Sequence, residues 1–280
     1  MSAAPMLDPA GYERLTRHLY DHVGLAFDDR RRDFLLKRVA RRAEAVGLAS
    51  ADRYVDFLTR ADAEGRELQA LVDLVTTNET YLFREYEQLE AFAHVCLPEL
   101  CARRAADGPR TLRIWSAGCS TGDEAYTLAI ILLEVLPPAE GWQVEVFASD
   151  IDRQVLARAE AGVYGERAVR DVPAPYLSAH FDAVPEGWRV RPHVRRRVRF
   201  AHLNLHDRLA MRAQRDFDAV FCRNVLIYFD DASRRGVVDR LYTALRPGGY
   251  LFLGHSESVS RVTSAFRLVR AEGHLLHQKP

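Results

Sequence analysis

The stretch that decides the fold is Leu112–Ala129, LRIWSAGCSTGDEAYTLA. An apolar run enters a loop of small residues, and an amphipathic helix follows from about Asp123. Gly118 and Gly122 permit a tight turn and a close approach of the backbone to a ligand. The first N–H groups of the helix have no partner inside it and point at whatever lies above the loop. This order of strand, loop and helix predicts a nucleotide-type site.

The rest of the chain surrounds this unit with two kinds of pattern. Residues 1–106 show helix-period segments with short breaks, which predicts an all-helical N-terminal domain. Residues 107–280 alternate apolar runs with helical segments, which is typical of a parallel α/β sheet. This rhythm breaks at about 164–200, where FDAV (181–184) and WRVR (188–191) predict a small antiparallel β insertion.

Composition excludes several classes of protein. The 280 residues contain 39 Lys+Arg and 39 Asp+Glu, and this balance argues against a dedicated DNA-binding protein. The four cysteines form no CxxC pair, so neither a disulfide framework nor a metal site is expected. No apolar run approaches the roughly 20 residues of a membrane span, and no signal peptide is evident. We expect a cytoplasmic monomer without nucleic acid or membrane insertion.

The acids near the glycine loop indicate which cofactor it takes. A dinucleotide fold prefers G-x-G-x-x-G, whereas this loop reads G-x-x-x-G and is followed by Asp123 and Glu124. Two acids at the helix start repel a pyrophosphate but suit a ligand with ammonium, hydroxyl or sulfonium groups. The next strand ends in Asp150, which can accept bonds from both ribose hydroxyls. S-adenosylmethionine (SAM) is therefore favoured over NAD.

Five stretches identify a family: TTNETYLFRE (76–85), WSAGCSTGDE (115–124), FASDID (147–152), FCRNVLIYFD (221–230) and GHSE (254–257). In this order they resemble the chemotaxis receptor methyltransferases, the CheR-type protein-glutamate O-methyltransferases. The similarity runs nearly end to end, and the insertion falls where the family carries its β-subdomain. One departure is Asp123, where many members have a second Glu, and this change leaves Glu124 in place.

The resemblance implies a class I SAM-methyltransferase domain that converts SAM to S-adenosylhomocysteine, without a metal. It implies that Arg84 and Tyr228 are catalytic, with Tyr228 beside the transferred methyl. Arg84, Asn78 and Thr80 are expected to close over the cofactor from the helical domain. The implied cofactor contacts are Asn78, Thr80, Arg84, Gly118, Glu124, Asp150, Asn204, Leu205, Arg223 and Asn224, of which the last four would flank the adenine.

The chemistry of glutamate methylation fits these residue types. A glutamate side chain, with a reference pKa of about 4.3, is ionised near neutrality, so its attack on a sulfonium methyl needs no general base. The enzyme has to align two reactants and exclude water. Arg84 offers a fork of donors to a desolvated carboxylate, and Tyr228 offers one hydroxyl.

A basic helix indicates the partner. Between Arg30 and Arg42 there are seven basic residues and one acid. The resemblance implies that Arg38, Arg41 and Arg42 recognise the acidic cytoplasmic domain of a chemoreceptor, although a solvated surface is the plain alternative. A second arginine run, 189–199, lies in or beside the insertion, which in some family members grips a receptor tether peptide. The short turn at 184–188 favours a member that does not depend on the tether.

These observations predict an enzyme that methylates glutamate side chains on chemoreceptor cytoplasmic helices. Two alternatives stay open. One is a related methyltransferase that acts on another signalling protein or on a small carboxylic acid. The other is a regulatory module that binds SAM or S-adenosylhomocysteine without turnover, against which the intact Arg84 and Tyr228 speak.

Overall fold

The structure is a computed structural model that describes residues 7–76, 79–136, 140–259 and 261–280. The chain divides into two compact units. The first contains the described residues up to 76 together with Tyr228–Ser233, and the second contains the other described residues. No helix in the described ranges is long and apolar enough to cross a membrane.

The first unit is helical. Asp8 caps its first helix by accepting the N–H of Gly11, and Gly24 ends that helix in the left-handed conformation. Leu15, Leu19 and other apolar residues at helical spacing are buried. Its elements are α1 (Pro9–Val23), a 3₁₀ turn (Asp29–Arg31), α2 (Arg32–Ala45), α3 (Ala51–Arg60) and α4 (Arg66–Val75).

The second unit contains a seven-stranded sheet in the order β6-β2-β1-β7-β8-β10-β9. The first five strands in this order are parallel, and β10 and β9 are antiparallel to their neighbours. The mixed sheet confirms the predicted α/β fold. Its strands are β1 (Thr111–Ala117), β2 (Gln143–Asp150), β6 (Val198–His202), β7 (Phe217–Cys222), β8 (Leu245–Leu253), β9 (Arg267–Ala271) and β10 (His274–Gln278).

Helices accompany the sheet, and α13 starts in the stretch that clusters with the first unit. A π-helical segment, Phe92–Cys96, joins α5 to α6, and a 3₁₀ turn, Leu226–Tyr228, precedes α13. The helices are α5 (Tyr86–Ala91), α6 (Leu97–Asp107), α7 (Asp123–Val135), α8 (Arg153–Ala161), α9 (Glu166–Val169), α10 (Ala174–His180), α11 (Pro192–Arg195), α12 (Arg208–Arg212) and α13 (Asp231–Ala244).

The predicted insertion is a separate three-stranded sheet. Its order is β3-β5-β4, and both pairs are antiparallel. The predicted hairpin is present as β4 (Phe181–Val184) and β5 (Gly187–Val190), and the short β3 (Val163–Tyr164) adds a strand that the sequence pattern did not indicate.

The structure divides the chain earlier than the sequence-based boundary at residue 106. Leu89, Phe92 and Leu97, from the helical stretch before that boundary, join one buried apolar cluster with Ile114 and Phe221 of the sheet. The rings of Phe92 and Phe221 meet edge to face at 5.2 Å. Helices α5 and α6 therefore belong to the sheet's unit, because their apolar faces are buried against its strands.

Candidate active site

The glycine loop is fixed to the end of the neighbouring strand. Ser149 O accepts the N–H groups of Gly118 (2.8 Å) and Cys119 (3.0 Å). Gly118 has φ +85°, and a Cβ there would lie 2.4 Å from Val225 Cγ2. Any other residue at Gly118 would be strained and would clash, so the loop needs glycine at this position.

Asp150 lies beside this loop at the carboxyl end of β2. Its Oδ2 accepts the N–H of Ser120 (2.7 Å), and its Oδ1 accepts the N–H of Asp152 (2.9 Å). Burial raises the pKa of Asp150 to about 6, although these two N–H groups oppose the shift. An ionised carboxylate has about four acceptor positions, so Asp150 keeps capacity for hydroxyl donors. Its position is the one the sequence predicted.

Glu124 lies in the first turn of α7. Its Oε1 accepts the hydroxyl of Ser116 (2.7 Å), and its Oε2 accepts a longer bond from Arg223 Nη1 (3.3 Å). Burial raises the pKa of Glu124, while Arg223 and Ser116 oppose the rise and Glu85 adds to it. The carboxylate keeps unused acceptor positions, which suit an ammonium group.

Arg223 connects Glu124 to a second acid, Glu85. Its Nη2 donates to Glu85 Oε2 (2.8 Å) and to the carbonyl of Arg84 (2.8 Å). Its side chain is only 4% exposed, and its buried Nε has no hydrogen-bond partner among the described residues. We expected Arg223 to flank the adenine, but its guanidinium joins two carboxylates. Glu85 was not among the predicted site residues, although it ends the quoted stretch TTNETYLFRE.

The turn that carries Glu85 is held in an unusual conformation. Phe83 and Glu85 have φ +60° and +56°, which is the left-handed region that residues other than glycine seldom adopt. The buried Phe83 ring and a bond from its N–H to Thr127 Oγ1 (3.0 Å) hold the turn against α7. Such strain persists where the surroundings fix it, often at functional sites.

Glu257 fixes the loop after β7. Its two carboxylate oxygens accept the N–H groups of Asn224 (2.7 Å), Gly254 (2.8 Å) and Leu226 (2.7 Å). These bonds hold Asn224 at φ +60°. The sequence showed Glu257 as the last residue of the GHSE stretch, but its role as a positioning residue for the predicted Arg223–Asn224 pair was missed.

Asn204 and Leu205 follow β6 at the same sheet edge. β6 pairs with β2, so that His202 is opposite Asp150, and the N–H of Leu203 donates to Asp150 O (2.9 Å). Asn204 Oδ1 accepts the N–H of His206 (2.8 Å) in a tight turn. The structure thus brings this predicted adenine loop next to Asp150.

The three residues predicted to close over the cofactor are Asn78, Thr80 and Arg84. Asn78 lies outside the described residues. Thr80 is half-buried. The Arg84 guanidinium donates to Glu79 O (2.7 Å) and lies 3.9 Å from Glu85 Oε1. Both Thr80 and Arg84 belong to the sheet's unit, whereas the sequence analysis assigned them to the helical domain.

Tyr228 belongs to the helical unit instead. Its carbonyl accepts the N–H of Ala26 (3.1 Å), and the next residue, Phe229, forms an isolated bridge with Leu25. The guanidinium carbon of Arg31 lies 5.3 Å from the centre of the Tyr228 ring. Residues Tyr228–Ser233 therefore belong to the first unit, and the rest of α13, from Arg234, belongs to the second.

The basic helix α2 is less uniform than the sequence suggested. Arg41 is exposed, as predicted. Arg42 instead donates two bonds to Glu67 (2.7 and 2.8 Å) and is partly buried. Arg38 lies over the Phe34 ring at 3.4 Å and donates to Leu74 O (3.3 Å). The three predicted recognition residues thus differ in availability, because tertiary partners occupy two of them.

Within the sheet's unit, Glu124, Asp150 and the Arg223–Glu85 pair form an acidic site at the carboxyl edge of the parallel strands, where α/β folds bind ligands. Asp150 accepts a bond from Ser120 of the glycine loop, and Glu124 lies in the first turn of the helix that follows the loop. These two acceptors fit the ammonium and ribose hydroxyl groups of SAM, which donate hydrogen bonds. In the described part of the chain, no group of three or more His, Cys, Asp or Glu residues could hold a metal ion.

Comparisons with known proteins agree with this geometry. Residues 10–76 match the family model "CheR methyltransferase, all-alpha domain", and residues 78–274 match "CheR methyltransferase, SAM binding domain". The chain is 39% identical to chemotaxis protein methyltransferase 2 of Vibrio cholerae, over 95% of this chain and 92% of the relative. It is 36% identical to the chemotaxis protein methyltransferase of Salmonella typhimurium, over 94% and 88%, and 35% identical to that of Escherichia coli, over 94% and 89%. The chain belongs to the CheR methyltransferase family and is a SAM-dependent methyltransferase of chemotaxis.

Proposed function

We propose that this enzyme transfers the methyl group of SAM to glutamate side chains on the cytoplasmic helices of a chemoreceptor, giving glutamate methyl esters. The observation that carries the proposal is the pair of carboxylates, Glu124 and Asp150, beside the glycine loop with acceptor positions unused. The names of the relatives, chemotaxis protein methyltransferases, support the biological setting. Such a substrate places the enzyme in the cytoplasm.

The cofactor contacts follow from the chemistry of each group. Asp150 would accept both ribose hydroxyls, and Glu124 would accept the ammonium group. Asn204 and Leu205 would flank the adenine, and the backbone at Gly118 would approach the amino-acid part closely. When bound, SAM supplies a methyl group on a positively charged sulfur.

The residues of this chain then align the two reactants. A carboxylate oxygen of the receptor glutamate attacks the methyl carbon as the carbon–sulfur bond breaks, and no proton moves. We assign to Arg84 and Tyr228 the orientation of this carboxylate, since a guanidinium fork and a hydroxyl stabilise a desolvated anion. Alignment alone can contribute roughly 7–11 kcal/mol to such a reaction.

Receptor capture would use the exposed part of the basic helix. Arg41 is exposed, and the charges of such residues act on an acidic partner over about 8–10 Å at moderate ionic strength. This surface favours a large acidic protein over a small carboxylic acid as the substrate.

Incubation with SAM carrying a labelled methyl group tests the proposal. The expected result is labelled receptor cytoplasmic fragment, with mass spectrometry locating one added CH₂ on glutamate and mild base releasing it as methanol. Tyr228→Phe should lower kcat about ten- to a thousandfold with little change in S-adenosylhomocysteine affinity, as expected for an interaction made in the transition state. Tight S-adenosylhomocysteine binding without transfer to any receptor would instead indicate a regulatory module.

A further inference from the structure

A small cavity between α12 and α13 contains an unusual concentration of arginine. It has a volume of about 270 Å³, and its lining includes Arg208, Arg212, Arg215 and Arg240. One acid, Asp239, also lines it. All of these residues belong to the sheet's compact unit. The cavity lies outside the set of residues proposed to hold SAM.

Within the described residues, the four guanidinium groups form none of the carboxylate ion pairs that Arg42 and Arg223 form. Arg42 and Arg223 form ion pairs with carboxylates at 2.7 and 2.8 Å. Among the residues with described positions, none of the four cavity arginines forms an ion pair with a carboxylate. Asp239 and the neighbouring Asp207 offset these four positive charges only in part, so the cluster keeps a net positive charge that suits an anion.

Arg240 is the most informative of the four. Its Nε donates to Leu205 O (2.9 Å), which fixes the guanidinium plane. Its Nη2 is buried and has no hydrogen-bond partner within the described chain. Burial and the neighbouring Arg208 lower the pKa of Arg240. A buried donor without an acceptor is costly, and such a group needs an explanation, which a bound ligand can supply.

We propose that this cavity binds a compact phosphate-bearing anion. Guanidinium groups match the oxygens of phosphate with paired, charge-assisted hydrogen bonds. The volume is below the roughly 300–1,000 Å³ of pockets for drug-sized ligands, so it accommodates a phosphate or diphosphate group and not a whole nucleotide. The anion would contact the same arginine that supports the Leu205 loop. This site is additional to methyl transfer.

Calorimetry with sodium pyrophosphate, at constant ionic strength and with saturating S-adenosylhomocysteine, tests the proposal. Arg212→Ala should weaken pyrophosphate binding about ten- to a hundredfold, because it removes a charged hydrogen-bond donor. Gly236→Leu should abolish binding without changing any charge. A Cβ at position 236 would lie 3.2 Å from Arg240 Nη1, so a longer side chain there fills the cavity.

Arg235→Ala is the matched control, because Arg235 is an exposed residue of the same helix and does not line the cavity. It should change the pyrophosphate affinity less than about twofold. ADP is a second probe: binding of ADP as well identifies the phosphate end of a nucleotide, and binding of pyrophosphate alone identifies a free anion. Either result supports the site.

Absence of pyrophosphate binding to the wild-type protein would overturn the proposal. So would an equal loss in Arg235→Ala and Arg212→Ala, which would indicate a general effect of surface charge. Unchanged affinity in a folded Gly236→Leu would also place the anion elsewhere. If Gly236→Leu does not fold, Arg212→Ala and its control decide the outcome. Retained S-adenosylhomocysteine affinity shows that each variant is folded.

Discussion

Each compact unit contains a buried arginine–carboxylate network. The two networks differ in how many of their hydrogen-bonding atoms already have a partner within the chain. In the helical unit, Glu67 accepts two bonds from Arg42 (2.7 and 2.8 Å) and one from the Tyr54 hydroxyl (2.7 Å). In the sheet's unit, the Arg223–Glu124 bond is long at 3.3 Å, and Arg223 Nε has no partner among the described residues. We infer that the Glu67 network, whose carboxylate accepts three short bonds, stabilises the fold. The Arg223 network keeps hydrogen-bonding capacity for a ligand.

Removal of Arg223 should have the largest effect. Arg223→Leu leaves Glu124 and Glu85 buried without their cation, and breaking such a pair costs about 3–5 kcal/mol. Urea denaturation should show this loss in the free energy of unfolding, together with loss of S-adenosylhomocysteine affinity. Arg199→Leu is the control, since its ion pair with Glu145 is 58% and 37% exposed and should contribute at most about 1 kcal/mol. Equal losses in the two variants would contradict the account.

Glu257 sharpens the comparison, because its carboxylate already accepts three backbone N–H groups, one of them from Asn224, the residue that follows Arg223. Glu257→Gln places an amide donor against backbone N–H groups that it now accepts, so Asn224 loses its support. We expect S-adenosylhomocysteine affinity to fall about ten- to a hundredfold, because Asn224 is a predicted cofactor contact. Ser256→Ala, at an exposed neighbour, should match the wild type. Unchanged S-adenosylhomocysteine affinity in Glu257→Gln would contradict its positioning role.

The pKa of Asp150 allows a pH test of the site in the sheet's unit, where carboxylate acceptor positions remain unoccupied. Its pKa is raised to about 6, and ribose hydroxyls bind the ionised form, so affinity is complete above this pH and is lost as the pH falls through it. Calorimetry should show S-adenosylhomocysteine binding about tenfold weaker near pH 5 than near pH 8.

Asp150→Asn should bind more weakly with this pH dependence removed. Asp123→Asn should retain the dependence, although burial also raises the pKa of Asp123 to about 6, because the Thr121 hydroxyl already satisfies that carboxylate. A pH profile that is equally steep in Asp150→Asn would assign the titration to another group.

Adjacent residues of one helix provide the smallest test. Arg41 is exposed, whereas Arg42 is paired with Glu67. Arg41→Ala should raise the receptor KM about two- to fivefold at low salt, and the difference should shrink at high salt. Arg53→Ala, an exposed arginine on α3, is the control and should leave KM unchanged. Equal KM values for the wild type, Arg41→Ala and Arg53→Ala would show that the basic face is a solvated surface without a role in receptor binding.

The sequence predicted those features that residues close together along the chain determine. The strand, glycine loop, helix and Asp150 lie where the pattern indicated, because consecutive residues form one βαβ unit. The network partners were missed, since Glu85 and Arg223 are 138 residues apart and only the fold joins them. The pairing of Arg42 with Glu67 was missed for the same reason. The boundary was placed late because amphipathic helices look alike whichever core they pack against.

Isosteric changes in the two networks test the central claim most directly. Glu124→Gln and Glu67→Gln each replace one buried carboxylate by an amide of the same shape, and each variant is measured by S-adenosylhomocysteine calorimetry and by urea denaturation. Glu124→Gln should lose affinity about ten- to a hundredfold with little loss of stability, since Arg223 keeps its bonds to Glu85 and to the Arg84 carbonyl. Glu67→Gln should lose about 1.5–3 kcal/mol of unfolding free energy and keep its affinity. Wild-type affinity in Glu124→Gln would contradict the account.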